Sequence, residues 1–188
     1  MDQPDGIYLT LEQSAFATPI VQGGLFAFDP APLPALPGDE VEIKGLLAAC
    51  GLPYQDLTPA HLEHFWVLRH GPRIAGVVGL EVPGEAGLLR SLAVREEARG
   101  RGVGTQLTRR AEQHARAQGV KTLYLLTTTA PDFFARSGYQ RVDRATVPEP
   151  LQQTAEFQSL CPESAVCMVK NIESRPAGGR SSNRSPND

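Results

Sequence analysis

The stretch VREEARGRGVGTQ, Val94 to Gln106, decides how this chain is read. Gly100, Gly102 and Gly104 permit positive φ and leave backbone N–H groups uncovered, while Arg95, Arg99 and Arg101 add guanidinium donors. A turn of this composition wraps an anion. Before it, Gly87–Val94 is an apolar run of strand length; after it, Val103, Leu107, Ala111 and Ala115 recur every four residues until Gly119. The loop therefore joins a strand to the start of a helix, where unpaired N–H groups and the helix dipole favour a phosphate.

Working outward, Phe65–Arg69, Arg73–Val82 and Gly87–Val94 form an expected antiparallel meander, with turns at His70-Gly71-Pro72 and Pro83-Gly84. Asp39 is the expected N-cap of a helix carrying Val41, Ile43, Leu46, Leu47 and Cys50, and Thr58-Pro59 opens a second short helix. Downstream, Lys121–Leu126 reads as a strand, Pro131–Arg136 as a short helix and Tyr139–Val142 as another strand. This βαβαβ progression implies a local parallel pair. Thr146 and Glu149 match a capping box opening a helix toward Leu160, and Ala165–Lys170 is a last strand.

The fold class is α+β with a central mixed sheet flanked by helices. Residues 1–38 are an extension with a possible strand near 25–28, residues 39–172 the folded domain, and residues 173–188 a tail with little to bury. The 18 Lys and Arg against 21 Asp and Glu give a formal charge of -3, so no general attraction to nucleic acid or membranes is expected. Cys50, Cys161 and Cys167 stand apart, which argues against a zinc cluster or disulfide framework. Asp2 and Asp5 at the start and the lack of a long apolar segment point to a soluble cytoplasmic protein, a monomer or homodimer. His61 and His64 lack a third ligand, so no metal is expected.

Among phosphate ligands, a Walker loop is excluded because no lysine stands between Gly104 and Thr105. The spacing G-x-G-x-G departs from the dinucleotide fingerprint. A basic loop of the RGG kind, binding RNA, is less consistent with two patterned flanking elements.

Arg99-x-x-Gly102-x-Gly104 behind a strand, with Ala130–Tyr139 following, resembles the GCN5-related N-acetyltransferase (GNAT) superfamily over roughly residues 41–169. Leu125–Phe134 and Leu160–Ala165 are similar to its arsenic-resistance branch, itself similar to N-acetylglutamate synthases. The resemblance implies the GNAT fold and acetyl-CoA as cosubstrate. It also implies transfer to a small amine such as an amino acid or an arsenic- or phosphorus-containing analogue. Backbone groups of Leu92, Ala93 and Val94 would hold the pantetheine arm, with Val94 N–H as oxyanion donor. Arg99, Gly100, Arg101, Gly102, Val103, Gly104 and Thr105 would hold the pyrophosphate, and Phe133, Phe134 and Arg136 would lie at the far end of the coenzyme. The family's usual acid, a tyrosine, is replaced by Phe134; Tyr139 and Tyr124, each needing a different geometry, or water are the alternatives, and a domain that only binds acyl-CoA is a second reading.

For the acceptor, Glu81 at the end of an apolar strand is a candidate base or else a solvated edge residue, with Glu85 weaker in its turn. Arg90 interrupts an apolar run: it clamps a substrate carboxylate, or it pairs with Glu81 or Glu85 across the hairpin. Ser91 and Thr127, the latter heading Thr127-Thr128-Thr129, complete the expected substrate contacts.

Overall fold

The computed structural model describes residues 28–173. Its elements are β1 (Leu33–Pro34), α1 (Glu40–Ala49), α2 (Pro59–Leu62), β2 (Phe65–His70), β3 (Arg73–Glu81), β4 (Ala86–Val94), α3 (Val103–Ala117), β5 (Thr122–Thr127), α4 (Pro131–Arg136), β6 (Gln140–Arg141), α5 (Glu149–Gln152), a π-helical turn (Glu156–Leu160) and β7 (Val166–Asn171). They build a seven-stranded sheet in the order β1-β2-β3-β4-β5-β7-β6. The α+β expectation and the meander hold. β1, with Pro34, sits at an edge, where a missing N–H costs no ladder bond.

β4 and β5 are the parallel pair, and α3 is their crossover. The strand after α4 lands elsewhere than the progression suggested: β6 pairs with β7, which lies between it and β5. The expected strand near 25–28 falls mostly outside the described residues; Phe28 makes one bridge with His70. Most of the expected tail, residues 174–188, also lies outside them.

Strand alternation sends side chains to two layers. One face packs Trp66, Leu68, Ala75, Val78, Leu80 and Leu89 against Val103, Leu107, Ala111 and Ala115 of α3, the stripe expected from the four-residue repeat. Gly76 lets α3 approach, since a Cβ there would stand 2.8 Å from Leu107 and 2.9 Å from Val103. The other face packs Phe65, Val67, Ile74, Val77 and Ala93 beneath Ile43, Leu46 and Leu47 of α1. Further along the sheet, Leu88 and Cys167 meet Val147, which precedes α5, Leu151 of α5 and Phe157 of the π turn.

Three local expectations fail. Asp39 does not cap α1: its carboxylate accepts from Leu36 N–H at 2.8 Å and pairs with Arg69 at 2.8 Å. Val41 is exposed rather than part of the core stripe. Thr146 does not form a capping box, because its hydroxyl donates to the Asp143 carbonyl at 2.8 Å; α5 is one turn long and is followed by the separate π turn.

Candidate active site

The site begins with a discontinuity in β4. Gly79 faces Arg90 and Val77 faces Ala93, so one extra residue is inserted between these pairs, and Ser91 takes φ of 55°. Such a bulge bends its strand. β4 pairs with β5 only over Ala86–Leu88, whereas β5 continues against β7 to Thr127. Past Leu88 the sheet therefore splits, and the gap opens into a cleft of about 1190 Å³ lined by Leu89–Val94 on one side and Leu125–Ala130 on the other.

Antiparallel strands alternate the direction of their backbone groups. Arg95 N–H donates to Ala75 C=O at 2.9 Å, so Ala93, two residues earlier, also turns its N–H toward β3. Val94 lies between them and turns both N–H and C=O into the cleft. Its carbonyl accepts from Arg99 Nε at 3.1 Å, while its N–H faces the opening. The backbone N–H of Ala93, expected to contact the pantetheine, is thus committed to β3.

At one end of the cleft lie Arg99 and Gly104. Gly100 and Gly102 take φ of 72° and 80°, the left-handed region that glycine adopts without a Cβ clash, and Gly102 starts α3. Among the described residues, the N–H groups from Gly100 to Thr105 have no protein acceptor. They form, with the helix dipole, a cradle for an anion. Gly104 brings α3 close to Phe133, whose ring a Cβ would meet at 3.4 Å. Arg101 turns away to stack over Phe28 at 5.8 Å.

The far-end residues are distributed differently from expectation. Phe134 borders the cleft but is only 5% exposed, fixed edge-to-face between Phe133 and Tyr139. It belongs chiefly to the core, and its neighbour Phe133 meets the loop. Arg136 is exposed in the last turn of α4 and does not line the cleft. Tyr139 is buried, which pushes its phenol well above the usual range, and Tyr124 is likewise raised by burial; neither lines the cleft. Among the described residues, the tyrosine that does is Tyr54, from the loop between α1 and α2, which carried no signal in the sequence.

At the opposite end, Arg90 is only 4% exposed. All three guanidinium nitrogens are engaged: Nη1 donates to Asp56 Oδ2 at 2.7 Å and to Glu81, Nη2 donates to Asp56 Oδ1 at 3.0 Å and lies 3.0 Å from Glu156 Oε1, and Nε donates to Ser91 at 3.3 Å. Burial alone would lower its pKa, but Asp56, Glu156 and Glu81 more than offset that and hold it above the ordinary arginine value. The pairing with Glu81, one of two readings of the sequence, is what the structure contains. The clamp for a substrate carboxylate is not available, because its donors are spent on protein acids. Glu81, the candidate base, points at Arg90 and does not line the cleft.

Glu156 does line it, with Thr127, Ser91, Ser159 and Cys161 nearby. The Cys161 thiol donates to Glu156 Oε2 at 2.8 Å; burial, then the carboxylate, pushes the thiol up to about 12. It therefore stays protonated at neutral pH. Asp56, His61 and Glu81 bring ligand atoms within 4.8 Å of one another, but both acids are already paired with Arg90. Glu156 and Asp56 were missed in the sequence; a carboxylate set between Ala155 and Phe157 was the available sign.

Residues 39–143 match the model of the acetyltransferase (GNAT) family. The chain belongs to that family. It is an acetyl-CoA-dependent N-acetyltransferase, and the free N–H row and split sheet are the features in this chain that suit coenzyme A. It is 28% identical over 117 residues to an uncharacterized N-acetyltransferase of Chlorobaculum tepidum, covering 60% of this chain and 73% of the relative. Identity to the amino-acid acetyltransferase of Pseudomonas fluorescens is 38% over 88 residues, 46% of this chain but 20% of that longer protein. Among solved structures, Mycobacterium tuberculosis Rv2747 in complex with CoA and NLQ superposes with a TM-score of 0.65 at 23% identity, covering 76% of this chain and 99% of that one. Neisseria gonorrhoeae N-acetylglutamate synthase, complexed with coenzyme A and L-arginine, gives 0.65 at 21% identity, covering 81% of this chain and 34% of that one. These two likenesses are of fold. No helix among the described residues is long and apolar enough to cross a membrane.

Proposed function

We propose that the enzyme acetylates the amino group of a small amino-acid-like acceptor by direct attack on acetyl-CoA in a ternary complex. The observation that carries this reading is the single cleft running from the bare N–H groups at the start of α3, past Val94, to the polar end around Glu156. The amino-acid acetyltransferases among its relatives supply the acceptor class.

In this reading the loop from Arg99 to Thr105 holds the pyrophosphate. The thioester carbonyl lies against Val94 N–H, which stabilises the charge that develops as the amine adds. The incoming ammonium first gives one proton to solvent; the neutral amine adds to the carbonyl carbon, and collapse breaks the C–S bond, the second proton lost by nitrogen balancing the one gained by the departing thiolate. Among the described residues, Tyr54 is the phenol that lines the cleft and can give that proton, since Phe134 has none, Tyr139 is buried and Tyr124 lies outside the lining. The likeness of Leu125–Phe134 and Leu160–Ala165 to arsenic-resistance N-acetyltransferases supports an arsenic- or phosphorus-containing amino acid with an uncharged side chain as one acceptor.

Thiol release from acetyl-CoA, followed over a panel of amino acids, arsenical and phosphinic analogues and simple amines, tests the reading. Saturable release with an amino-acid-like acceptor is expected. Tight acetyl-CoA binding with no release from any acceptor would refute it.

A further inference from the structure

Charge at the acceptor end of the cleft is unbalanced. Arg90 contributes one positive charge and Asp56, Glu81 and Glu156 three negative ones; Arg144, bonded to the Phe157 and Pro162 carbonyls outside the cleft lining, adds a second positive charge near Cys161 and leaves the acids in excess. Cys161 adds none while its thiol remains protonated. Among residues lining the cleft, the other fixed cation is Arg99, which belongs to the donor end. Glu156 is the acid that borders the cleft itself, and it is held in place: Arg90 lies against one carboxylate oxygen and Cys161 donates to the other. Its turn is π-helical, a rare local geometry that is frequent at functional sites.

We infer that Glu156 is the specificity residue of the acceptor site, receiving the ammonium of the incoming amine and, with Asp56 and Glu81 behind it, rejecting acceptors whose side chain ends in an anion. The acceptors are then amino acids or amines with a neutral or cationic side chain. Three features combine here. An ammonium finds a preoriented carboxylate; a second carboxylate finds no free cation, because Arg90 is saturated; and the unpaired negative charge repels it. This rests on the proposed amino-acid-like acceptor and narrows it, placing glutamate and anionic arsenical or phosphinic analogues among the poor substrates.

L-Glutamine, L-glutamate and L-ornithine, which share a five-carbon skeleton, separate charge from size. Thiol release with the full chain should give glutamate a kcat/KM at least ~10-fold below glutamine, since juxtaposed like charges are costly, with ornithine at or above glutamine. Glu156→Gln keeps a side chain of the same shape beside Arg90 and should shrink the glutamine-to-glutamate ratio by about 10-fold. A purely structural role for Glu156 would slow all three acceptors alike and leave the ratio unchanged, which overturns the inference, as does equal or better use of glutamate by the wild type. Calorimetric binding of the three to the CoA-loaded protein decides separately. The same order of affinity without turnover refutes the acetylation reading alone; no binding, or preferred glutamate, refutes the charge selection.

Discussion

Replacing Arg90 by methionine removes the hub between three elements without opening a large void. The side chain is 1% exposed, and the carboxylates it joins are 17% exposed for Asp56, 22% for Glu81 and 8% for Glu156. Without the guanidinium these three acids face one another partly out of water, and breaking a buried pair in this way costs about 3–5 kcal/mol. At about 2–4 °C per kcal/mol for a domain of this size, Arg90→Met should lower Tm by roughly 6–20 °C. The pH dependence carries the sign of the argument. Burial pushes the Asp56 pKa up, but the hydrogen bond and charge of Arg90 pull it further down, leaving it below the ordinary aspartate value. A depressed carboxylate stabilises the folded state above its unfolded pKa of about 3.9, and that contribution is lost as pH falls through the lower folded value. Chemical denaturation at pH 7 should therefore show the full loss in the variant, and the gap to wild type should narrow below about pH 4. Adding Asp56→Asn, Glu81→Gln and Glu156→Gln to Arg90→Met should recover much of the stability. A loss under about 1 kcal/mol at pH 7, or one unchanged in acid, would refute the account of Arg90 as a buried counter-ion.

Arg99→Ala should weaken acetyl-CoA binding by about 10-fold in calorimetry, as loss of a charge-assisted contact does, with the melting temperature nearly unchanged because the residue is exposed. Tyr54→Phe should lower kcat by about 10- to 100-fold with little change in coenzyme affinity if its phenol protonates the thiolate; an unchanged kcat would leave that proton to water. Cys161, its thiol pushed up to about 12, should resist alkylation at pH 8, where only about one thiol in 10,000 is ionised against roughly a quarter of an unperturbed cysteine. Peptide mass spectrometry after iodoacetamide treatment reads this directly, and labelling of Cys161 at the rate of a free thiol would contradict the burial and hydrogen bond assigned to it.

The sequence showed most clearly what is built from consecutive residues. The apolar run of β4, the glycine loop and the four-residue stripe of α3 lie within about thirty positions, and each carries its own period or backbone requirement, so the donor half of the site was legible with the fold. Side-chain capping was less reliable. Asp39 and Thr146 each have the chemistry of a cap, but Arg69, thirty positions away, takes the Asp39 carboxylate, and the Asp143 carbonyl takes the Thr146 hydroxyl. The acceptor half depends on convergence of the same long-range kind. Asp56, Glu81 and Glu156 come from a loop, a strand end and a π turn, and no periodicity marks them as neighbours. Only the Arg90–Glu81 pair was foreseeable, as a contact across one hairpin.

The bulge at Ser91 links the two halves. Beyond it, Val94 presents its backbone to the cleft; before it, Arg90 projects to the face where the α1–α2 loop and the π turn supply its acids. The donor site is thus made of main-chain N–H groups, which most side-chain substitutions leave unchanged, whereas the acceptor site is made of side chains on connecting segments around one arginine. Changing the acids around Arg90 alters the charge an acceptor meets without moving Val94 or the glycine loop. Selectivity among amines can therefore be changed separately from acetyl-CoA binding, provided the guanidinium keeps enough partners to remain buried.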